Sequence, residues 1–186
     1  DERSELVQVL GNAIGRRQDQ LVLNALAGSG TSLSVGNDVG GTDSNMNVAK
    51  LRQAKGLMDK NNVPPTDRHI VIHSNGLQSL LAETAVTSSD FNTVKALVNG
   101  ELNTFLGFQF HVLGDRTEGG LAIDGSSDRT CFAFHKDAIG YGEGIAPKTE
   151  INYIPEKTSF LVASMFSAGA TTIDAEGIVS IVARES

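Results

Sequence analysis

Between residues 2 and 27 the apolar side chains Leu6, Leu10, Ala13, Ile14, Leu21 and Ala25 recur mostly at three and four residues. That spacing predicts one long helix with a single apolar stripe, the rest of its surface carrying Arg3, Glu5, Arg16 and Gln20. Gly28, Ser29 and Gly30 stop it. Residues 28–44 then turn to Gly, Ser, Asp and Thr around Leu33, Val35 and Val39, which predicts a flexible loop with room for one short strand. Asn47 is placed to cap a second helix whose inner face is Val48, Leu51, Ala54, Leu57 and Met58, with Asn61, Asn62, Pro64 and Pro65 as its stop. The β-branched run at 68–73 reads as a strand, and Ser74 as the cap of a helix carrying Leu77, Leu80, Leu81 and Ala82.

Further on, a short helix is predicted over 90–97, turn residues at Asn99 and Gly100, a strand over 105–112, and a Gly- and Asp-rich surface loop over 114–128. A buried strand at 130–134 precedes a helical turn at 136–139. Three strands follow at 148–154, 159–166 and 178–183, with turns around Pro155, Gly169 and Gly177. No internal repeat interrupts this mixture of helix and strand, which defines an α+β chain.

The 186 residues suffice for one good core, divisible into two lobes. A hydrophobic share of 40% and a charged share of 20% are those of an ordinary globular chain. No apolar run approaches the roughly 20 residues of a membrane-spanning helix, so no membrane partner is expected. The formal charge of −7 speaks against a surface built to grip nucleic acid. With Cys131 as the single cysteine, neither an intrachain disulfide nor a cysteine-based zinc site can form, which fits a reducing compartment. No secretory leader pattern is seen. The sequence opens at Asp1 inside an amphipathic pattern rather than at a Met, so a preceding segment is expected.

Candidate chemistry is sparse. His69 and His73 are four apart, the zinc spacing of a helix, but in a strand four residues span about 13 Å, too far for one ion. The glycines of 27–32 follow a helix instead of preceding one, and no Gly-Lys-Ser or Gly-Lys-Thr comes after them, which is the wrong order for a phosphate cradle. GYGEG at 140–144 reads as a turn. There is no G-x-S-x-G elbow to anchor a triad. Cys131, inside TCFAF, reads as an inert core thiol. His135 with Asp137 reads as a structural hydrogen-bonded histidine rather than a proton relay. The remaining enzymatic arrangement, a small cytosolic hydrolase using His111, Asp115 and His135, requires those three side chains to converge. No cofactor, metal or catalytic residue is therefore expected.

Residues 95–112, KALVNGELNTFLGFQFHV, resemble the "vnGei..flGF.v" signature of tailed-bacteriophage major capsid proteins. The whole order of elements is similar to the Hong Kong 97-type capsid fold: long helix, LNALAGSG loop, helix, RHIVIH, LQSLLAE, the signature, an acidic loop, CFAFHKDAIGYG, then long antiparallel strands. The resemblance implies a peripheral domain at 1–43 and 148–186, with the long spine helix and long strands, and an axial domain at 44–147, a mixed sheet flanked by helices. An N-terminal arm and an extended loop, usual ahead of the spine helix, have no counterpart in these residues. The implied function is a major capsid protein that self-assembles through hexamers and pentamers into the icosahedral head enclosing double-stranded DNA. Its localisation would be the virion, with assembly in the host cytoplasm. Implied partners are its own copies, scaffolding, portal or decoration proteins, and DNA enclosed without sequence-specific binding. The turn at 154–159 would meet symmetry mates near local threefold axes, which makes Pro155, Glu156, Lys157 and Thr158 subunit-contact candidates, with Arg16 and Arg17 on the first helix. An encapsulin-like compartment shell is the alternative within the same fold.

Overall fold

The computed structural model describes residues 2–83 and 104–185. The predicted helix at 90–97, the turn at Asn99 and Gly100, and the VNGEL part of the capsid-like signature lie outside the described residues. In chain order the elements are α1 (Glu2–Ala27), β1 (Ser34–Val35), α2 (Val48–Lys60), β2 (Arg68–His73), α3 (Ser74–Ala82), β3 (Thr104–Phe105), β4 (Phe108–Leu113), β5 (Asp128–His135), β6 (Ile139–Ile154), β7 (Ser159–Thr172) and β8 (Ile178–Arg184). Six strands form one mixed sheet in the order β1-β8-β5-β2-β4-β3, and β6 pairs with β7 as a separate antiparallel ribbon.

The sheet is organised by its most apolar strands. β2 runs parallel to β4 and antiparallel to β5, and β5 runs antiparallel to β8 from Asp128↔Arg184 to Phe134↔Ile178. Ile70, Ile72, Phe108, Ala133, Ile178, Val179 and Ile181 are wholly removed from solvent and pack with Leu51, Ala54 and Met58 of α2 and Leu26 of α1. A strand covered on both faces reads as a nearly continuous apolar run, as β2 and β8 do.

Asn47 caps α2 as predicted: its side-chain oxygen accepts from the Lys50 amide at 2.8 Å. Its amide group donates to Val39 O at 2.8 Å and Ser44 Oγ at 3.1 Å, which folds the preceding loop onto the helix start. Gly40 permits that approach, since at its φ of +81° a Cβ would sit 2.6 Å from the Asn47 amide nitrogen. The loop expected to be flexible is accordingly tied down, with Thr31 Oγ1 donating to Ile178 O at 2.7 Å and Ser180 N donating to Leu33 O at 3.0 Å.

Three further expectations need correction. The cap of α3 is His73, not Ser74: its Nδ1 accepts from the Asn75 amide at 3.2 Å. The buried side of α1 is Leu23 and Leu26 with Val22 against them, whereas Leu6, Val7 and Val9 are exposed. Only the last turns of this helix lie over the sheet, so the even stripe read from periodicity is covered at one end. GYGEG is no turn but part of β6, and Gly169 lies within β7, where Gly142 and Gly169 face each other across the ribbon. β8 pairs with β1 and β5 in the six-stranded sheet. Its residues Ile178, Val179, Ile181 and Ala183 are buried, and such a strand is stable only inside a covered sheet, where β5 and β1 receive it.

Candidate assembly surface

β6 and β7 pair from Ile139↔Thr172 out to Ile154↔Ser159, with register shifts around Ile145 that accommodate Ala146 and Pro147. Sixteen residues of strand reach about 50 Å at ~3.3 Å per residue. The root of the ribbon is held by α1: Thr172 Oγ1 donates to Ala25 O at 2.9 Å, and Gln18 Nε2 donates to Glu143 Oε1 at 3.0 Å. The outer half stands clear. Directly paired residues share a face, so Ile151, Tyr153, Phe160 and Val162 form one apolar patch, with the Tyr153 and Phe160 rings 5.2 Å apart. Ile151, Tyr153 and Phe160 are each about half exposed; Leu161 and Met165 are similarly exposed on the other face, beside a Lys148–Glu150 ion pair at 2.6 Å. An isolated two-stranded ribbon is marginal in water, and this one carries apolar side chains on both faces.

At the tip, Pro155–Lys157 form one 3-10 turn closed by Thr158, whose N–H donates to Pro155 O at 3.3 Å from a left-handed backbone (φ 49°, ψ 38°). Pro155, Glu156, Lys157 and Thr158 are all exposed. Arg16 and Arg17 sit elsewhere, on α1. Arg17 Nη1 lies 3.4 Å from Glu118 Oε1, both side chains about half exposed. The backbone at Arg16 abuts Gly119, where a Cβ would come within 2.9 Å of the Arg16 carbonyl at a φ of +72°, and Gln20 accepts from the Gly119 amide at 3.0 Å. The candidate contact residues thus form two separate sets, one on the ribbon tip and one where α1 meets the loop before β5.

The hydrolase arrangement does not assemble. His135 pairs across β5 with Arg68, and His111 pairs across β4 with Val71, so these histidines fall on opposite faces of β2. His111 Nε2 lies 3.0 Å from His69 Nδ1. His135 Nδ1 accepts from the Asp137 amide at 3.2 Å, the structural role expected of it. Asp115 is drawn to a different cluster, 2.8 Å from Arg129 Nη2 and 3.2 Å from His73 Nε2. That His73 nitrogen is buried and, despite the short separation, off the line a hydrogen bond requires. Burial pushes the Cys131 thiol up to about 12, as an inert core cysteine should be. Among the described residues no three His, Cys, Asp or Glu side chains are grouped to hold a metal, and no helix is long and apolar enough to cross a membrane.

Interior charges escaped the sequence reading. Arg129 is buried between Asp115 and Glu185 and also donates Nη1 to Leu121 O. Burial penalises its charge, but the hydrogen bonds it donates to Glu185 and Asp115 outweigh this and hold its pKa above the ordinary value. Lys50 is fully buried with Nζ donating to Ser44 O at 2.5 Å and Val182 O at 2.8 Å. Arg68, equally buried, reaches Asp59 at 2.7 Å and the carbonyls of Val63 and Pro64. The available signal was positional: each stands at a helix or strand position whose neighbours point inward.

Among the described residues the fold combines a mixed sheet, a long helix, a projecting two-stranded ribbon and interior charges that tie elements together. The model for the phage capsid protein family matches residues 1–185, and the chain belongs to that family. A chain from a structure of Mycobacterium phage Che8 superposes with a TM-score of 0.68 at 16% identity, covering 95% of this chain and 61% of that one. The head structure of Helicobacter pylori bacteriophage KHP40 gives 0.75 at 12% identity, covering 100% and 69%. The holo-SrpI encapsulin complex from Synechococcus elongatus PCC 7942 shares the fold at 0.59 and 9% identity, covering 97% and 65%. This chain therefore spans roughly two thirds of the length of the chains it resembles. Comparison with the curated proteins gives no match. The Hong Kong 97-type capsid fold expected from the order of elements is the fold observed.

Proposed function

We propose that the chain is the shell-building part of a tailed-phage major capsid protein, assembling through hexamers and pentamers into the icosahedral head that encloses double-stranded DNA. The observation that carries this reading, beside family membership, is the outer half of the β6–β7 ribbon, which presents Ile151, Tyr153 and Phe160 to solvent. Burying such a face against a neighbour contributes about 25 cal/mol per Å² of apolar surface, and repetition over many copies makes a closed shell persistent even where each contact is weak.

Pro155, Glu156, Lys157 and Thr158 are proposed as the contact at local threefold axes, with Glu156 of one copy facing Lys157 of the next; Arg16 and Arg17 are proposed as a second contact. The proposed division places 1–43 and 148–186 in a peripheral domain and 44–147 in an axial domain, with the proviso that β8 pairs within the six-stranded sheet. Scaffolding, portal or decoration proteins are proposed partners, the virion the location, and the host cytoplasm the place of assembly.

Negative-stain electron microscopy of particles made by the gene product carrying this chain tests the proposal. Uniform icosahedral shells that fill with DNA are expected. Shells filled with a protein cargo would transfer the chain to an encapsulin-like compartment, and small discrete oligomers alone would overturn the shell reading.

A further inference from the structure

The zinc spacing His69-x-x-x-His73 leads nowhere, because His73 is buried as the cap of α3. The strand register instead brings His69 of β2 beside His111 of β4, with Nδ1 of the first 3.0 Å from Nε2 of the second. We propose that His69 and His111 form a two-imidazole site for a divalent transition-metal cation of tetragonal preference, Cu²⁺ or Ni²⁺, with its other positions open to the adjoining groove.

The ligand type selects the metal: affinity of nitrogen ligands for divalent first-row metals rises through Ni²⁺ to a maximum at Cu²⁺, and a site with two protein ligands leaves the other tetragonal positions to water. Imidazole is a ligand well matched to both ions.

The surroundings favour the pair as ligands. His111 is exposed and His69 half-buried, so the nitrogens are reachable, and the Phe134 ring stacks on His69 at 5.7 Å and 30°, limiting how that ring turns. Both histidines line a groove of about 550 Å³ with Asp137, Lys136 and Tyr141, wide enough for water to complete the coordination. A ligating histidine has to be neutral. Metal binding replaces the present hydrogen bond between the two rings, the exposed His111 turning against a His69 held by Phe134.

The test is calorimetric titration of the full chain with Cu²⁺ alone in a non-chelating buffer, followed by electron paramagnetic resonance. The expected result is one Cu²⁺ per chain with a tetragonal spectrum showing two equatorial nitrogens. His69→Gln and His111→Gln should each weaken binding at least tenfold. His111→Gln decides the matter if the other variant does not fold, since His111 is exposed at the surface. Absence of a saturable site, a spectrum with fewer than two nitrogens, or a site that survives His111→Gln overturns the proposal.

Discussion

Glu185, immediately beyond the last strand, grips Arg129 through two parallel hydrogen bonds, Nε to Oε1 at 2.7 Å and Nη2 to Oε2 at 2.9 Å. The pair fastens the end of β8 to the start of β5, and it does so almost out of water: Arg129 has 3% of its side chain exposed and Glu185 10%. Bidentate geometry of this kind is among the stronger charge-assisted contacts, and its rupture leaves a buried cation behind. Glu185→Ala should therefore lower the unfolding free energy by about 3 kcal/mol, the lower end for a broken buried pair because Asp115 still reaches Arg129. Urea denaturation monitored by circular dichroism measures this, and a loss below about 1 kcal/mol would contradict the role assigned to the pair.

The same cluster sets an acid limit. Burial pushes the Glu185 carboxyl upward, but hydrogen bonds from Arg129 and Asn75 prevail and hold it below its usual 4.5; Asp128 is likewise held below its usual value by its hydrogen bonds from Arg184. A carboxylate depressed in the folded state contributes stability above its unfolded pKa and loses it as pH falls through the folded one. Thermal midpoints should stay level from pH 7 to about 5 and fall below about pH 4.5, and Glu185→Gln should flatten the acid limb. An unchanged limb in that variant would show that Glu185 is not among the groups responsible.

Lys50 is shifted in the same direction, by burial instead of by ion pairing. Burial lowers its pKa against the pull of Asp128 and Asp38, so the folded chain holds this proton less firmly than the unfolded one, and stability rises with pH through the folded value. Its ammonium binds two carbonyls and no carboxylate within ion-pair distance among the described residues. Lys50→Met keeps most of the volume and removes the buried charge, and its unfolding free energy should lie within about 1 kcal/mol of the parent. Lys50→Ala, which leaves a cavity, should cost roughly 2–4 kcal/mol. Equal losses in the two variants would mean that the two carbonyl contacts outweigh the burial of the charge.

The thiol of Cys131, pushed up to about 12 and 1% exposed, should resist Ellman's reagent in the folded chain at pH 8 and react at one equivalent per chain in denaturing urea. Rapid reaction of the native chain would show that β5 opens far more readily than a central strand should.

Glu156→Lys reverses the charge on an exposed turn whose backbone is set by Pro155 and Thr158, so folding should be unaffected to within about 0.5 kcal/mol. Shell yield should fall sharply by electron microscopy, because like charges then face one another at each proposed threefold contact. Shells of normal yield and shape would remove Glu156 from the assembly surface.

Local patterns along the chain suffice for α1, for the Asn47 cap of α2, for the strand at β2 and for the presence of long strands near the end. Each depends on residues within a few positions of one another, through helical periodicity, a cap reaching three residues on, or β-branched side chains in series. The order of those elements was enough to suggest a capsid fold. Where β8 goes, and that Gly142 and Gly169 continue strands instead of ending them, depends on which strand stands alongside, a choice made by burying one face against distant residues. The same non-local register separates His111 from His135 and seats it beside His69, while tertiary packing brings Arg129 to Glu185, 56 residues away. Sequence spacing carries the period of an element and its ends; only the packed sheet decides which side chains meet across it.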